Sequence, residues 1–311
     1  MRRYAARRAA SAVLVAAGVV LATFLLLHLE PGDPARLVLG EHASPAAVAQ
    51  LRRQWGLDRS LPQQLGRYVA DLAHGRLGTS YVYGESVSTL IVQRAEVTYA
   101  LVGLATLFSL LLTVPLATLA AARKDGIADH LVRAVSVAGI GLPAFWFGIV
   151  LIEVLAVHLH LLPVGGFGGS PATRLQDLIL PALTAAFGIV PILVRSLRVG
   201  MIDVLGTEFV ATLRAKGLSE PRVLVVHVAR NALIPTVSLL GINIAFLLGS
   251  TVVVEKVFDL NGLGSLLLSS ISGRDFPVVQ AVTLVLAISV VAVNLVTDLV
   301  SARLDPRIRL A

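Results

Sequence analysis

The sequence predicts an all-α polytopic membrane protein with six transmembrane helices, and three observations carry that prediction. Hydrophobic residues make up 56% of the 311 and charged residues only 14%, whereas a soluble domain is nearer a quarter charged; the mean hydropathy is +0.83. The apolar residues come in long runs rather than in short amphipathic periods, and a bilayer core about 30 Å thick takes roughly 20 apolar helical residues to cross. Lysine and arginine gather in alternate connections between those runs, the asymmetry that orients a membrane protein. In hydrocarbon only a helix or a closed barrel satisfies its own backbone polar groups, so the runs read as helices.

The first run, 9–27, follows Met1-Arg2-Arg3-Tyr4-Ala5-Ala6-Arg7-Arg8 and leads into His28-Leu29-Glu30-Pro31. It is too long for a cleaved secretory leader and reads as a retained signal anchor. The other five predicted spans are 97–122, 134–157, 177–194, 232–254 and 277–300. Pro181 and Pro191 interrupt the fourth, which membrane helices tolerate where neighbours satisfy the freed carbonyls.

With the N-terminus inside, the cytoplasmic side receives Arg2, Arg3, Arg7 and Arg8, then Arg123, Lys124 and Arg133. It also takes Arg195, Arg198, Arg214, Lys216, Arg222 and Arg230, and finally Arg303, Arg307 and Arg309. The short outside loops hold only Arg174, Lys256 and Arg274. That distribution accounts for the net charge of +7 and makes a nucleic-acid partner unnecessary. The chain has no cysteine, which excludes disulfides, thiolate nucleophiles, iron–sulfur clusters and cysteine-based zinc sites.

The chain divides into a tail and first helix (1–28), an external folded segment (29–96) and a five-helix core (97–311) carrying a cytoplasmic loop at 203–231. In the external segment, Ser44-Pro45 opens a helix that ends near Trp55-Gly56. A second helix starts near Pro62 with Leu61, Leu65, Tyr68 or Val69, and Leu72 on one face, and Gly75 as its stop. Two readings fit the segment, a cap on the external mouth and a docking surface for an external partner.

The loop 203–231 reads as helix, break, helix. Thr207 caps the first half, Gly217 supplies the left-handed residue that ends it, and Ser219, Glu220 and Pro221 open the second. Phe209, Leu213 and the stem of Lys216 make one apolar face, and Val223, Val226 and His227 the other. Helices this short are marginal alone in water and need a surface to pack on, either the bundle or a soluble partner.

Catalytic patterns are missing. The sequence holds no phosphate loop of the Gly-x-x-x-x-Gly-Lys-Ser/Thr type, no His-Glu-x-x-His zinc helix and no Gly-x-Ser-x-Gly elbow. Charge inside a span is costly and so is a functional hypothesis by default. Glu153 and Asp298 lie near span ends, where an interfacial role and a substrate or coupling role both fit. Asn243 and Asn294 either bond between helices or line a pathway. His158 and His160 lack a nearby third ligand, which favours interfacial histidines over a metal pair, so no metal is assigned.

The stretch Arg214-Ala215-Lys216-Gly217-Leu218-Ser219, followed by Arg230-Asn231-Ala232-Leu233-Ile234-Pro235, resembles the cytoplasmic loop of permease subunits in binding-protein-dependent ABC importers of the dipeptide/oligopeptide branch. Glu30-Pro31-Gly32-Asp33-Pro34, Gly56-Leu57-Asp58 and Gly75-Arg76-Leu77-Gly78-Thr79-Ser80 agree. So do Phe258-Asp259-Leu260-Asn261-Gly262-Leu263-Gly264, Arg274-Asp275-Phe276-Pro277-Val278-Val279-Gln280 and Leu304-Asp305-Pro306-Arg307. The similarity covers nearly the whole chain and is to the first of the two permease types that pair in these systems. Ala211-Thr212-Leu213 stands where the wider family has Glu-Ala-Ala, and Glu208 takes the place of its acid.

The resemblance implies a type I ABC importer permease fold in a bacterial plasma membrane, with both termini cytoplasmic. It implies a heterodimer with a second homologous permease, two cytoplasmic ATPase subunits that bind ATP and Mg, and an external substrate-binding protein, the chain itself holding no cofactor. Glu208, Arg214 and Lys216 would rim the ATPase contact, Gly217 would set the helix break, and Ala211 and Ala215 would allow close approach, with Phe209, Leu218 and Ser219 completing the coupling loop. Di- or oligopeptides are the expected substrate; relatives also carry nickel, glutathione and other small solutes. From other classes, an ion-coupled secondary transporter and a membrane scaffold or receptor are the rivals.

Overall fold

In the computed structural model, residues 2–29, 32–40 and 42–304 are described, the side chains of 2–9 and of Leu27 excepted. The Glu30-Pro31 pair, Asp305-Pro306-Arg307, Arg309 and the side chains of the N-terminal arginines lie outside the described residues. The regular structure among them is helical: α1 (Arg2–Leu29), α2 (Pro34–Leu39), α3 (Pro45–Trp55), α4 (Leu61–Ala73), α5 (Val87–Ala122), α6 (Ile127–Gly141) and α7 (Ala144–Leu151). There follow α8 (Pro171–Phe187), α9 (Val190–Leu205), α10 (Glu208–Ala215), α11 (Glu220–Arg222), α12 (Ala229–Val257), α13 (Leu263–Ser272) and α14 (Phe276–Leu304). Two π-helical stretches, Ile152–His158 and Val223–Val228, continue α7 and join α11 to α12.

Among the described residues three helices are long and apolar enough to cross a membrane: Val87–Ala122, the continuous run Glu220–Val257, and Phe276–Leu304. Two bent pairs pass together, Ile127–Gly141 with Ala144–His158 at 105° and Pro171–Phe187 with Val190–Leu205 at 56°, which gives up to five crossings. The described apolar part of α1, Ala10–Leu26, is shorter.

The third predicted span, expected as one helix, is broken. Pro143 drives the residue before it out of helical geometry, and Leu142 is extended at φ −96° and ψ 132°. In the fourth, Pro181 stays inside α8, and the break falls at Gly188-Ile189. Pro191 opens α9, where a missing N–H leaves no helical bond unmade.

The chain forms two compact units. The first is made chiefly of Tyr99–Leu260 with the part of α14 that begins at Val290. In it α9 lies along α12 and α6, and α7 packs on α8. Ala117, Val194, Leu197, Met201, Val228 and Ala232 form a buried core. Small residues let the helices close up: a side chain at Gly148 would strike Thr184, and one at Gly241 would strike Thr297.

The second unit combines Ala5–Thr98 with Asn261–Ser289. Ser44 caps α3 by accepting from the Ala47 N–H, and Gly56 ends it at φ 73°. On α4, Leu65, Tyr68 and Leu72 are half-buried while Leu61 and Val69 are exposed, so Tyr68 rather than Val69 completes the apolar face. Asp275 is wholly buried and accepts hydrogen bonds from the Ser80 hydroxyl and from the N–H groups of Tyr81 and Val82. It thereby pins the 79–86 turn to the α13–α14 corner, beside a core of Val87, Leu90, Leu263, Leu266, Val278 and Val282.

Candidate functional site

The site is built where α9 ends. Thr207 enters α10 with the extended backbone of an N-cap, φ −86° and ψ 152°. Its hydroxyl, however, donates backwards to the Val204 carbonyl at 2.7 Å instead of accepting from the helix. One turn on, Val210 is completely buried, in the same core as Leu197, Met201, Val223 and Val228, with Leu213 and Leu218 packed against it. The inner stripe of α10 is therefore Val210 and Leu213, three residues apart and on one face. Phe209, expected to share that face, lies one residue out of phase: it is 46% exposed and meets the His227 ring edge-on, at 6.4 Å.

Gly217 ends α10 at φ 79°, in the left-handed region. Its N–H donates to the Arg214 carbonyl at 2.9 Å and the Leu218 N–H to the Leu213 carbonyl at 3.3 Å, the paired bonds of a Schellman stop. Ser219 is extended, at φ −66° and ψ 144°, and begins α11 without a side-chain cap bond, Pro221 fixing the first turn. Beyond it the chain is π-helical, and the wider turn shifts the buried positions to Val223 and Val228. That corrects the expected Val223, Val226, His227 face: Val226 is half exposed and His227 half-buried.

Across the break, Arg214 grips Glu220 with two hydrogen bonds, Nε to Oε1 at 2.7 Å and Nη2 to Oε2 at 3.1 Å. The hydrogen bond and the charge of Arg214 hold the Glu220 carboxyl below its ordinary value, and Glu220 raises the Arg214 guanidinium. Both side chains are exposed, so the pair contributes little stability. Its forked geometry bridges the break between α10 and α11. Sequence reading missed this partner because the two residues belong to different helices.

The solvent face of α10 carries Glu208, Phe209, Ala211 and Ala215, and Lys216 follows at its end, all exposed, as are Gly217 and Ser219. The surface is thus apolar and small at the middle, with charge at both ends. Among the pathway candidates, Asn243 is half-buried and donates to Leu239 of its own helix at 2.8 Å, not across to another helix. Asn294 is half-buried. Glu153 is exposed on the first π stretch beside His158, with Oε1 3.3 Å from Nδ1. No hydrogen bond joins these three among the described residues.

A second feature gave no sequence signal, because its members are 69 positions apart. Asp129, fully buried in the first turn of α6, holds Arg198 of α9 with two bonds of 2.5 and 2.6 Å. It also accepts from the Asp125 N–H at 3.0 Å and lies 3.6 Å from Arg133. Among the described residues no group of three or more histidine, aspartate or glutamate side chains is arranged to hold a metal.

Residues 113–310 match the family described as binding-protein-dependent transport system inner membrane component. Residues 1–102 match the N-terminal region of such membrane components. The chain belongs to this family.

The permease is 40% identical over 320 residues to the probable D,D-dipeptide transport system permease protein DdpB of Escherichia coli, covering 95% of this chain and 94% of that protein. It is 38% identical over 291 residues to the glutathione transport system permease protein GsiC of Salmonella paratyphi A, at 94% of each chain. GsiC of Pectobacterium atrosepticum is 36% identical over the same span. The chain is a permease subunit of a bacterial inner-membrane ABC importer, in the dipeptide/oligopeptide family. Its relatives are transport permease proteins rather than catalytic subunits.

Proposed function

We propose that this permease forms part of the translocation pathway of an ATP-driven importer of di- and oligopeptides, and that the 203–231 loop receives the stroke of a cytoplasmic ATPase. The observation that carries this reading is the loop itself. A short helix is locked onto the bundle through Val210 while its opposite face, with Phe209 at the centre, stays open. An apolar groove on a partner would cover the exposed part of that ring.

In this reading the chain crosses the membrane six times, through α1, α5, the two bent pairs, the Glu220–Val257 run and α14, with both termini cytoplasmic. The span count rests on counting each bent pair once and on α1 as a signal anchor. Residues 29–96 then face outward, as a cap or a platform for the substrate-binding protein, and 97–311 form the core. A second permease completes the pathway, with Asn243, Asn294 and Glu153 the candidates to line it, and two ATPase subunits carry ATP and Mg.

The test is ATP hydrolysis by the co-purified complex with and without a panel of dipeptides and longer peptides, alongside uptake into vesicles. Peptide-stimulated hydrolysis coupled to uptake is expected. Gly217→Pro should leave membrane insertion intact while separating hydrolysis from uptake, because proline cannot adopt φ 79° and lacks the N–H given to Arg214. Normal uptake by that variant would remove the coupling assignment, and ion-driven uptake without the ATPases would replace the whole reading. Glutathione belongs in the panel as a second reading, favoured by the near-full-length similarity to GsiC.

A further inference from the structure

The second unit contains a cleft of about 320 Å³, and none of its lining residues belongs to the 203–231 loop. Its walls come from α1, α3, α4, the 76–81 turn and the start of α14. The volume falls within the size range of small-molecule sites.

One side of the cleft is aromatic. Trp55 and Tyr81 stack with ring centres 3.9 Å apart and planes 10° from parallel, and Phe24, Tyr68 and Phe276 continue the wall. The other side is cationic, with Arg59, Arg67 and Arg76 lining it against the single carboxylate of Asp71. Asp71 is already engaged, bonding to Arg76 at 2.9 Å and lying 3.9 Å from Arg67. Arg59 and Arg67 both crowd over the α-carbon of Gly56: a side chain there would come within 3.3 Å of the Arg67 guanidinium and 3.9 Å of Arg59. No hydrogen bond or ion pair occupies the Arg59 guanidinium among the described residues.

The Tyr68 hydroxyl is buried and unpartnered. A buried hydroxyl without a partner costs roughly 1–3 kcal/mol, and folded chains seldom keep one without a use for it. Burial pushes Tyr68 up to about 12, so at neutral pH it keeps its proton and remains a donor. Donors with no acceptor, an excess of guanidinium and a stacked aromatic wall all call for the same kind of guest.

We propose that this cleft is a binding site for a small molecule carrying a carboxylate beside an apolar or aromatic side chain, such as the C-terminal end of a short peptide. Arg59 and Arg67 take the carboxylate, Tyr68 donates to it or to the neighbouring carbonyl, and the Trp55–Tyr81 stack receives the side chain. The site is remote in sequence from the loop that carries the transport reading, so each stands or falls separately.

Trp55 makes the proposal directly measurable. The chain has two tryptophans, Trp55 and Trp146, so Trp146→Phe leaves the cleft residue as the only indole reporter. The full chain in nanodiscs would be titrated with alanyl-phenylalanine and with its C-terminal amide. The acid should change Trp55 emission saturably and bind about tenfold tighter than the amide, the scale of one lost charge-assisted bond. Arg59→Gln should weaken the acid by about the same factor, and Tyr68→Phe, which deletes one oxygen, by about threefold to tenfold. Circular dichroism and melting unchanged from the parent would confirm that both variants are folded. Equal affinity for acid and amide, no response to either, or folded variants that bind like the parent would each overturn the site.

Discussion

Adjacent residues in α10 should fail in opposite ways when truncated. Val210 is fully buried in the bundle core, and Phe209, next to it, is 46% exposed. Val210→Ala deletes two methyl groups from a packed site, which at about 0.8 kcal/mol each plus a term for the cavity left behind comes to about 2 kcal/mol of lost stability. Phe209→Ala removes a ring that supports little of the fold. If an ATPase groove covers its exposed part, about 80 Å² of apolar surface leaves water on docking, worth about 2 kcal/mol, or roughly thirtyfold in affinity. Thermal unfolding of the nanodisc-embedded permease reads the first quantity, and biolayer interferometry with purified ATPase subunits reads the second. Val210→Ala should lower the melting point with near-normal affinity for the ATPase, and Phe209→Ala the reverse. A Phe209→Ala variant that melts early yet binds the ATPase normally would refute the assignment of the two faces.

Three further outcomes follow from the same geometry. Removing either Asp129 or Arg198 strands a buried charge and should cost about 3–5 kcal/mol, whereas Asp129→Leu with Arg198→Met together should recover most of it; additive losses in that double-mutant cycle would show the pair is not coupled. Asp275→Ala orphans the Ser80 hydroxyl and two N–H groups and should cost about 2–4 kcal/mol, read as lost exchange protection at Tyr81 and Val82. Because Arg214 holds Glu220 below its ordinary 4.5, their pairing is complete above that pH and fades as pH falls through the lowered value. Intrinsic-rate-corrected protection of the Gly217 N–H should therefore stay flat at every pH above 4.5 and drop only below it, and Glu220→Gln should abolish the step.

Long apolar runs were legible because hydrophobic length is a local property of the sequence, and the α5, α12 and α14 spans appear where the runs lie. The Ser44 cap, the Gly56 stop and the Gly217 break were equally legible, each depending on the chemistry of one or two neighbouring residues. Helix phase was not. Phe209 was expected to share a face with Leu213 and the stem of Lys216, but a single step of about 100° decides which side chain is buried, and core packing chose Val210 to lie with Leu213. The π-turn at Val223–Val228 likewise broke the 3.6-residue period on which the Val226 expectation relied. The bend at Pro143 was written in the sequence as a proline, yet its 105° angle belongs to packing. Neither Arg214–Glu220 nor Asp129–Arg198 could be read beforehand, since charge pairing across separate helices leaves no periodic trace.

The proposed coupling also asks how a push on one short helix could reach the membrane interior. From Glu220 to Val257 the chain is one unbroken helix of 38 residues, about 57 Å at the standard rise. Its first turn is tied to α10 twice, by the two bonds from Arg214 to Glu220 on the solvent side and by Val210 and Val223 sharing a core beneath. The buried contact is the stronger of the two ties, since the ion pair is exposed, and under the proposed coupling it would carry a load on Phe209 into the long helix. Pro235 lies inside that helix, and without its N–H the Asn231 carbonyl loses its helical donor, a softer point at which bending is cheapest. Asn243 lies two turns beyond it. On this reading the glycine sets the angle of the connection, the shared core of Val210 and Val223 makes it stiff, and the proline decides where along α12 the motion is released.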